Sequence, residues 1–155
     1  MIANRRFLII FVLKFNFVYA RPLSCAADKF ADGCSVPPII PAPFKNEFTS
    51  ACNRHDICYA CGTHYNWSRS DCDMSFYNNM KEVCSQMKEK RSFWGSVVDL
   101  LNNIGSKANQ CRTAAKVYFE AVRLFAESHF DKHDHDYCLA KCAENHGNPF
   151  DKKSI

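Results

Sequence analysis

The chain reads as a mainly α, small disulfide-rich domain. Three observations predict this class. Ten cysteines, an even number, all follow residue 20 of the 155-residue chain. They stand behind a segment laid out like a secretory leader, and an oxidising compartment pairs such thiols, here into five disulfides. Apolar residues recur at spacings of three and four over several long windows, the period of a helix face. Alternation of apolar and polar residues, the mark of a half-buried strand, never lasts more than a few residues.

The first element is "MIANRRFLIIFVLKFNFVYA". Arg5 and Arg6 precede the apolar run Phe7 to Leu13, and Val18 and Ala20 follow at the spacing that signal peptidase prefers. Residues 1–20 are therefore expected to be a signal peptide cut after Ala20, and residues 21–155 a single domain. The apolar content of 47% suits one compact core. Lys14 and Asn16 interrupt the leader, so no run approaches the about 20 apolar residues of a membrane-spanning helix. The expectation is a secreted, extracellular protein with no transmembrane segment.

Losing the leader also changes the charge. Removing Arg5, Arg6 and Lys14 from 20 basic residues leaves 17 against 16 acidic ones, a net +1. No basic stripe is interleaved with aromatics, so a nucleic-acid partner is not expected. A zinc site built from "CYAC" (Cys58, Cys61) and "CLAKC" (Cys138, Cys142) is disfavoured, because the same oxidising compartment consumes paired thiols.

Residues 21–47 form an irregular loop, since "SVPPIIPAP" holds four prolines in nine residues. A helix is predicted from about Phe48 to Gly62, with Gly62 as its stop. A second begins in "SRSDCDMSFYNNMKEVC", with Ser70 as cap and Asp71 and Asp73 in the first turn, where the helix dipole favours carboxylates. Its apolar positions are Met74, Tyr77, Met80, Val83, Cys84 and Met87. "SFWGSVVDLLNNIG" predicts a short helix ending near Gly105. The longest helix falls in "NQCRTAAKVYFEAVRLFAESHF", with Cys111, Ala115, Tyr118, Val122 and Phe125 on one stripe.

"CNRHDICYACG" concentrates the polar chemistry. Neighbours on a helix diverge by about 100°, so His55 and Asp56 serve different partners, whereas His55 and Tyr59 share a face. On the second helix Asp73 shares a stripe with Tyr77, Met80 and Cys84. A carboxylate on a buried face is costly unless paired. His55 is the obvious partner, with Tyr59 adding a hydrogen bond. That pairing fixes the imidazole tautomer and leaves the other nitrogen free to take a proton from water. Taken alone, a His-Asp dipeptide is more often a solvated patch of helix surface, and Asp73 could be only a dipole carboxylate.

The wider pattern goes further. "CNRHDICY", followed by "CDMSFYNNM" and preceded by "DGCS", resembles the secreted calcium-dependent phospholipases A2, closest to the bacterial, fungal and conodipine-type branch. The resemblance spans about Asp32 to Phe125. It implies a helical phospholipase A2-like domain with an irregular N-terminal calcium loop, acting on the sn-2 ester of glycerophospholipids at a membrane surface. Residue by residue, it implies His55 as general base, Asp73 as its orienting carboxylate and Tyr59 as support for Asp73. It makes Asp56 the principal calcium ligand, with Asp32 and the Gly33 carbonyl completing the protein's share. The glycine-rich calcium loop of the pancreatic and snake-venom branch is absent.

Resemblance and topology together pair Cys34 with Cys52, Cys84 with Cys111, and Cys61 with Cys72. The order among Cys25, Cys58, Cys138 and Cys142 stays open. A second reading keeps the scaffold and drops the chemistry: a non-catalytic toxin or receptor-binding protein. The intact set His55, Asp56 and Asp73 argues for the enzyme.

The remaining features carry less. Ser35 and Ser50 lie in no nucleophile-elbow motif and read as loop polar groups. "HFDKHDHDYC" has metal-ligand residue types but reads as a solvated connector. Asn66-Trp67-Ser68 is a glycosylation sequon. Ile39, Ile40 and Trp67 are read either as lipid-touching residues or as ordinary packing. Lys90-Arg91 is a dibasic pair of the kind at which the resemblance implies cleavage into two chains.

Overall fold

The computed structural model describes residues 25–36, 42–87 and 106–151. The expected leader, Ile39 and Ile40, the Lys90-Arg91 pair and the helix expected before Gly105 lie outside the described residues. Among the described residues, four α-helices carry the fold: α1 (Thr49–Tyr65), α2 (Arg69–Gln86), α3 (Lys107–Phe125) and α4 (Lys141–Gly147). Single 3-10 turns at Ala26–Phe30, Glu127–His129 and Asp136–Leu139 link them. No strand occurs among the described residues. None of the helices described is long and apolar enough to cross a membrane.

The helix ends differ from expectation for local reasons. Gly62 does not stop α1, which runs on to Tyr65 and ends where Asn66 takes a left-handed conformation with φ of 57°. Gly62 is needed for space instead. A Cβ there would stand 2.6 Å from the Phe130 ring. At the start of α2 the cap is Ser68, not Ser70. The Ser68 hydroxyl accepts from the Asp71 amide at 3.1 Å, and the Asp71 carboxylate accepts in return from the Ser68 amide at 3.1 Å. This reciprocal box satisfies two donors that the helix start leaves free. Helix α3 begins earlier than expected, with Ser106 capping the Asn109 amide at 3.2 Å. It also stops short of Phe130, because Phe130 turns inward onto Tyr59 and the Asp131 amide bonds the Tyr59 carbonyl at 3.2 Å.

Two apolar clusters share α1. The first joins its N-terminal half to α2 and α3 through Phe48, Ala51, Phe76, Met80, Ala115 and Tyr118. Within the expected α3 stripe, Cys111, Ala115 and Tyr118 are buried, while Phe125 is 64% exposed. The second cluster packs Ile57, Cys61 and Trp67 against the C-terminal segment and Ala143. Trp67 is buried and stacks on Tyr65 at 4.5 Å, so packing is its role and the lipid-touching reading fails for it.

Cys34 is bonded to Cys52, and Cys84 to Cys111. The expected Cys61–Cys72 bridge is absent: Cys58 bonds Cys72, and Cys61 bonds Cys138. Helical phase explains the correction. Cys61 belongs to the stripe of Ile57 and Tyr65, which faces the C-terminal segment, whereas Cys58 lies one turn beyond His55 on the side facing α2. Cys25 and Cys142 form the fifth bridge. All ten cysteines are consumed, and no free cysteine remains for a thiolate zinc site.

Candidate active site

Antiparallel packing of α1 on α2 sets the register that brings position 55 to position 73. His55 Nε2 lies 2.9 Å from Asp73 Oδ1, and Tyr59 Oη donates to the same oxygen at 2.6 Å. Both members of the couple are buried, with His55 at 7% exposure and Asp73 at 2%. An oxygen already accepting from a phenol accepts from the imidazole too, so Nε2 carries the ring proton and Nδ1 keeps its lone pair. The ring is clamped between Tyr59 and Phe76, with centroids 4.1 and 4.7 Å away. Burial, then the hydrogen bond to Asp73, hold the Tyr59 hydroxyl well above its usual range, so it remains a donor.

One residue further on, Asp56 points elsewhere, as helical geometry requires. Its Oδ2 is buried without a hydrogen-bond partner. Burial first, and the neighbouring Asp32 charge second, push its carboxyl from 3.8 up to about 7, although a backbone hydrogen bond from Asp32 works the other way. Asp32 is on the surface, where Ser35 Oγ donates to its Oδ1 at 3.1 Å. Between them Gly33 adopts φ of 87°, a conformation glycine takes without strain. Two carboxylates lining one cleft, one with an orphaned oxygen, suit a hard divalent cation that takes only oxygen ligands. The nearby sulfurs of Cys34 and Cys52 are locked in a disulfide and do not compete.

Sequence reasoning missed three contributors. Asn53 Oδ1 accepts from the Gly33 amide at 2.9 Å and so anchors the Asp32-Gly33 loop to α1. Its signal was slight: an amide two residues before the histidine. Phe76 supplies the other wall of the imidazole clamp, and its place one turn after Asp73 was visible. Arg69, one turn before Asp73, places Nε 4.0 Å from Asp73 Oδ2.

A cleft of about 910 Å³ opens over these groups. His55, Asp56, Asp32 and Gly33 line it together with apolar walls that include Phe30, Val36, Val117 and Phe125. The volume and largely apolar lining, with a few convergent polar groups, suit a substrate with a long apolar part. The histidine-rich segment is folded on itself. Asp131 gathers it into a turn, accepting from the His133 amide at 2.9 Å and meeting His135 Nε2 at 2.8 Å.

Fold and site define a disulfide-stapled helical enzyme domain in which a carboxylate-oriented histidine faces an apolar cleft. The family model of prokaryotic phospholipase A2 matches residues 14–126, and the chain belongs to that family. The chain is similar to the conodipine-M alpha chain of Conus magus, 40% identical over 55 residues that cover 36% of this chain and 70% of the relative. It is also similar to conodipine-P2 and conodipine-P3 of Conus purpurascens, 30% and 29% identical over 151 residues, covering 76% of this chain and 84% of each relative. No solved structure matches the chain.

Proposed function

We propose that the protein is a secreted, calcium-dependent phospholipase A2 that hydrolyses the sn-2 ester of glycerophospholipids with His55 as general base. The observation that carries this reading is the buried His55–Asp73–Tyr59 group on the floor of an apolar cleft, beside the Asp56–Asp32 carboxylates. In this mechanism His55 Nδ1 takes a proton from the attacking water. Asp73 stabilises the resulting imidazolium and holds its plane, while Tyr59 holds Asp73. The ester bond then breaks, and Nδ1 returns the proton to the departing alkoxide, giving a free fatty acid and a lysophospholipid.

Asp56, Asp32 and the Gly33 carbonyl are the groups that would hold calcium. When bound, the ion supplies polarisation of the ester carbonyl and charge for the oxyanion. The apolar walls receive acyl chain and exclude water. Five disulfides support a secretory route, as does the leader-like segment before residue 21.

Phospholipid vesicles labelled separately at the sn-1 and sn-2 chains test the reading. Calcium should bring release of the sn-2 acid alone, and a chelator should stop it. Equal release from both positions, or undiminished release under chelation, contradicts it. No hydrolysis by correctly folded protein at any calcium level favours a non-catalytic binding protein on the same scaffold.

A further inference from the structure

We propose that Arg69 is a positioning residue for the His55–Asp73 couple, its permanent charge locking the Asp73 carboxylate so that Oδ1 stays on the imidazole. The inference rests on the reading of His55 as the general base. Arg69 is the first residue of α2 and lies one turn before Asp73, so both share a face. Its Nε stands 4.0 Å from Asp73 Oδ2. One hydrogen bond holds the guanidinium from another side, while Nη1 is buried without a hydrogen-bond partner. Nη2 donates to the Arg123 carbonyl in the last turn of α3 at 3.2 Å, and Nη1 lies 3.9 Å from Glu127 Oε2.

The two carboxylates near Arg69 are not equivalent. The Glu127 side chain is 82% exposed and its charge is screened, whereas that of Asp73 is 3% exposed and is not. Among the described residues, the ion-pair partners of Asp73 are His55 and Arg69. His55 must be neutral to act as a base, and Tyr59 is a neutral donor. A buried carboxylate flanked only by neutral donors is poorly compensated, and the Arg69 charge beside Oδ2 adds to that compensation. That charge also reaches Tyr59, where it opposes the upward push on the phenol. Geometry adds to charge. With Oδ2 drawn toward Arg69, rotation of the carboxylate away from His55 Nε2 is opposed.

Full-length variants separate this role from that of a mere brace. Arg69→Gln keeps a donor for the Arg123 carbonyl but loses the charge, and Arg69→Lys keeps the charge but loses the planar fork. Arg69→Gln should lower kcat by about 10- to 100-fold, the usual effect of removing a supporting partner, with calcium affinity unchanged. KM should stay within about twofold, since the lost interaction acts on turnover. Arg69→Lys should recover most of kcat, and Glu127→Gln should leave it unchanged. On a His55→Gln background, Arg69→Gln should cause no further loss. A turnover-independent readout is the downfield proton resonance of His55 Nε2–H, which Arg69→Gln should shift or broaden and Arg69→Lys should retain. If wild-type protein hydrolyses nothing, the reading of the site fails, yet this resonance still decides the role of Arg69. Wild-type kcat with an unmoved resonance in folded Arg69→Gln overturns the proposal. Equal losses in the Gln and Lys variants, or an additive loss on the His55→Gln background, overturn it as well.

Discussion

Asp73 Oδ1 receives two donors at once, and each does a different job. The imidazole contact sets the tautomer, while the Tyr59 hydroxyl stops the oxygen from drifting. Tyr59→Phe keeps the ring that packs on His55 and Phe130 and removes only the hydroxyl. Thermal denaturation should show a loss of about 1–2 kcal/mol, the scale of a buried hydrogen bond, with lower turnover and unchanged calcium binding. Asp56 obeys a different rule. Its folded pKa of about 7 lies above the ordinary carboxylate range. The metal-free fold is therefore favoured by this group below the ordinary range near about pH 4, and that advantage is lost as pH rises through the folded value. Calcium needs the ionised form, so affinity should rise between about pH 6 and pH 8. Calorimetric titration at several pH values checks this. Asp56→Asn should remove most of the affinity together with its pH dependence.

At the scale of elements, helix ends and one loop anchor decide where the site stands. Ser68→Ala should destabilise the protein by about 1 kcal/mol through the lost cap, whereas Ser70→Ala should have almost no effect. Equal effects in thermal melts would contradict the observed helix start. Asn53→Ala should free the Asp32-Gly33 loop from α1 and weaken calcium binding, while the His55–Asp73 contact persists. Helices α1, α2 and α3 were legible because their apolar stripes repeat over many residues, and local chemistry then moved their ends; α4, seven residues long, is too short to show such a stripe and was missed. Ser68 outcompeted Ser70 because Asp71 lies three residues after it, which completes the box. Gly62 looked like a stop because its sequence neighbourhood cannot show that Phe130, far along the chain, will press on it. The pairing of position 55 with position 73 was legible, since a carboxylate on an apolar stripe demands a partner. Asn53 and Arg69 were not, because their partners are fixed only by tertiary packing.

For the whole molecule, the second cluster and its bridges hold the first and last described segments around α1. Cys25–Cys142 spans 117 residues of sequence, and Arg54 donates to the carbonyls of Asn148 and Asp151 at 2.8 and 3.1 Å. Gly147 lets α4 lie close on α1, since a Cβ there would stand 2.8 Å from an Ile57 methyl group. Replacing Cys25 and Cys142 together by serine should lower stability by about 2–5 kcal/mol. Cold, folded variant should keep its turnover, because the Cys34–Cys52 bridge still ties the Asp32-Gly33 segment to α1. The five-bridge count was readable from composition, but the Cys61–Cys72 pairing was not, since sequence proximity across a turn does not specify helical phase.

His55→Gln separates the proposed proton acceptor from the proposed cation ligand, Asp56. Calcium affinity by calorimetry and sn-2 hydrolysis should be measured on the same sample. Calcium binding should be unchanged and turnover lowered by at least about a hundredfold, the usual size of a lost general base. Full turnover in the folded variant would contradict the proposed role of His55.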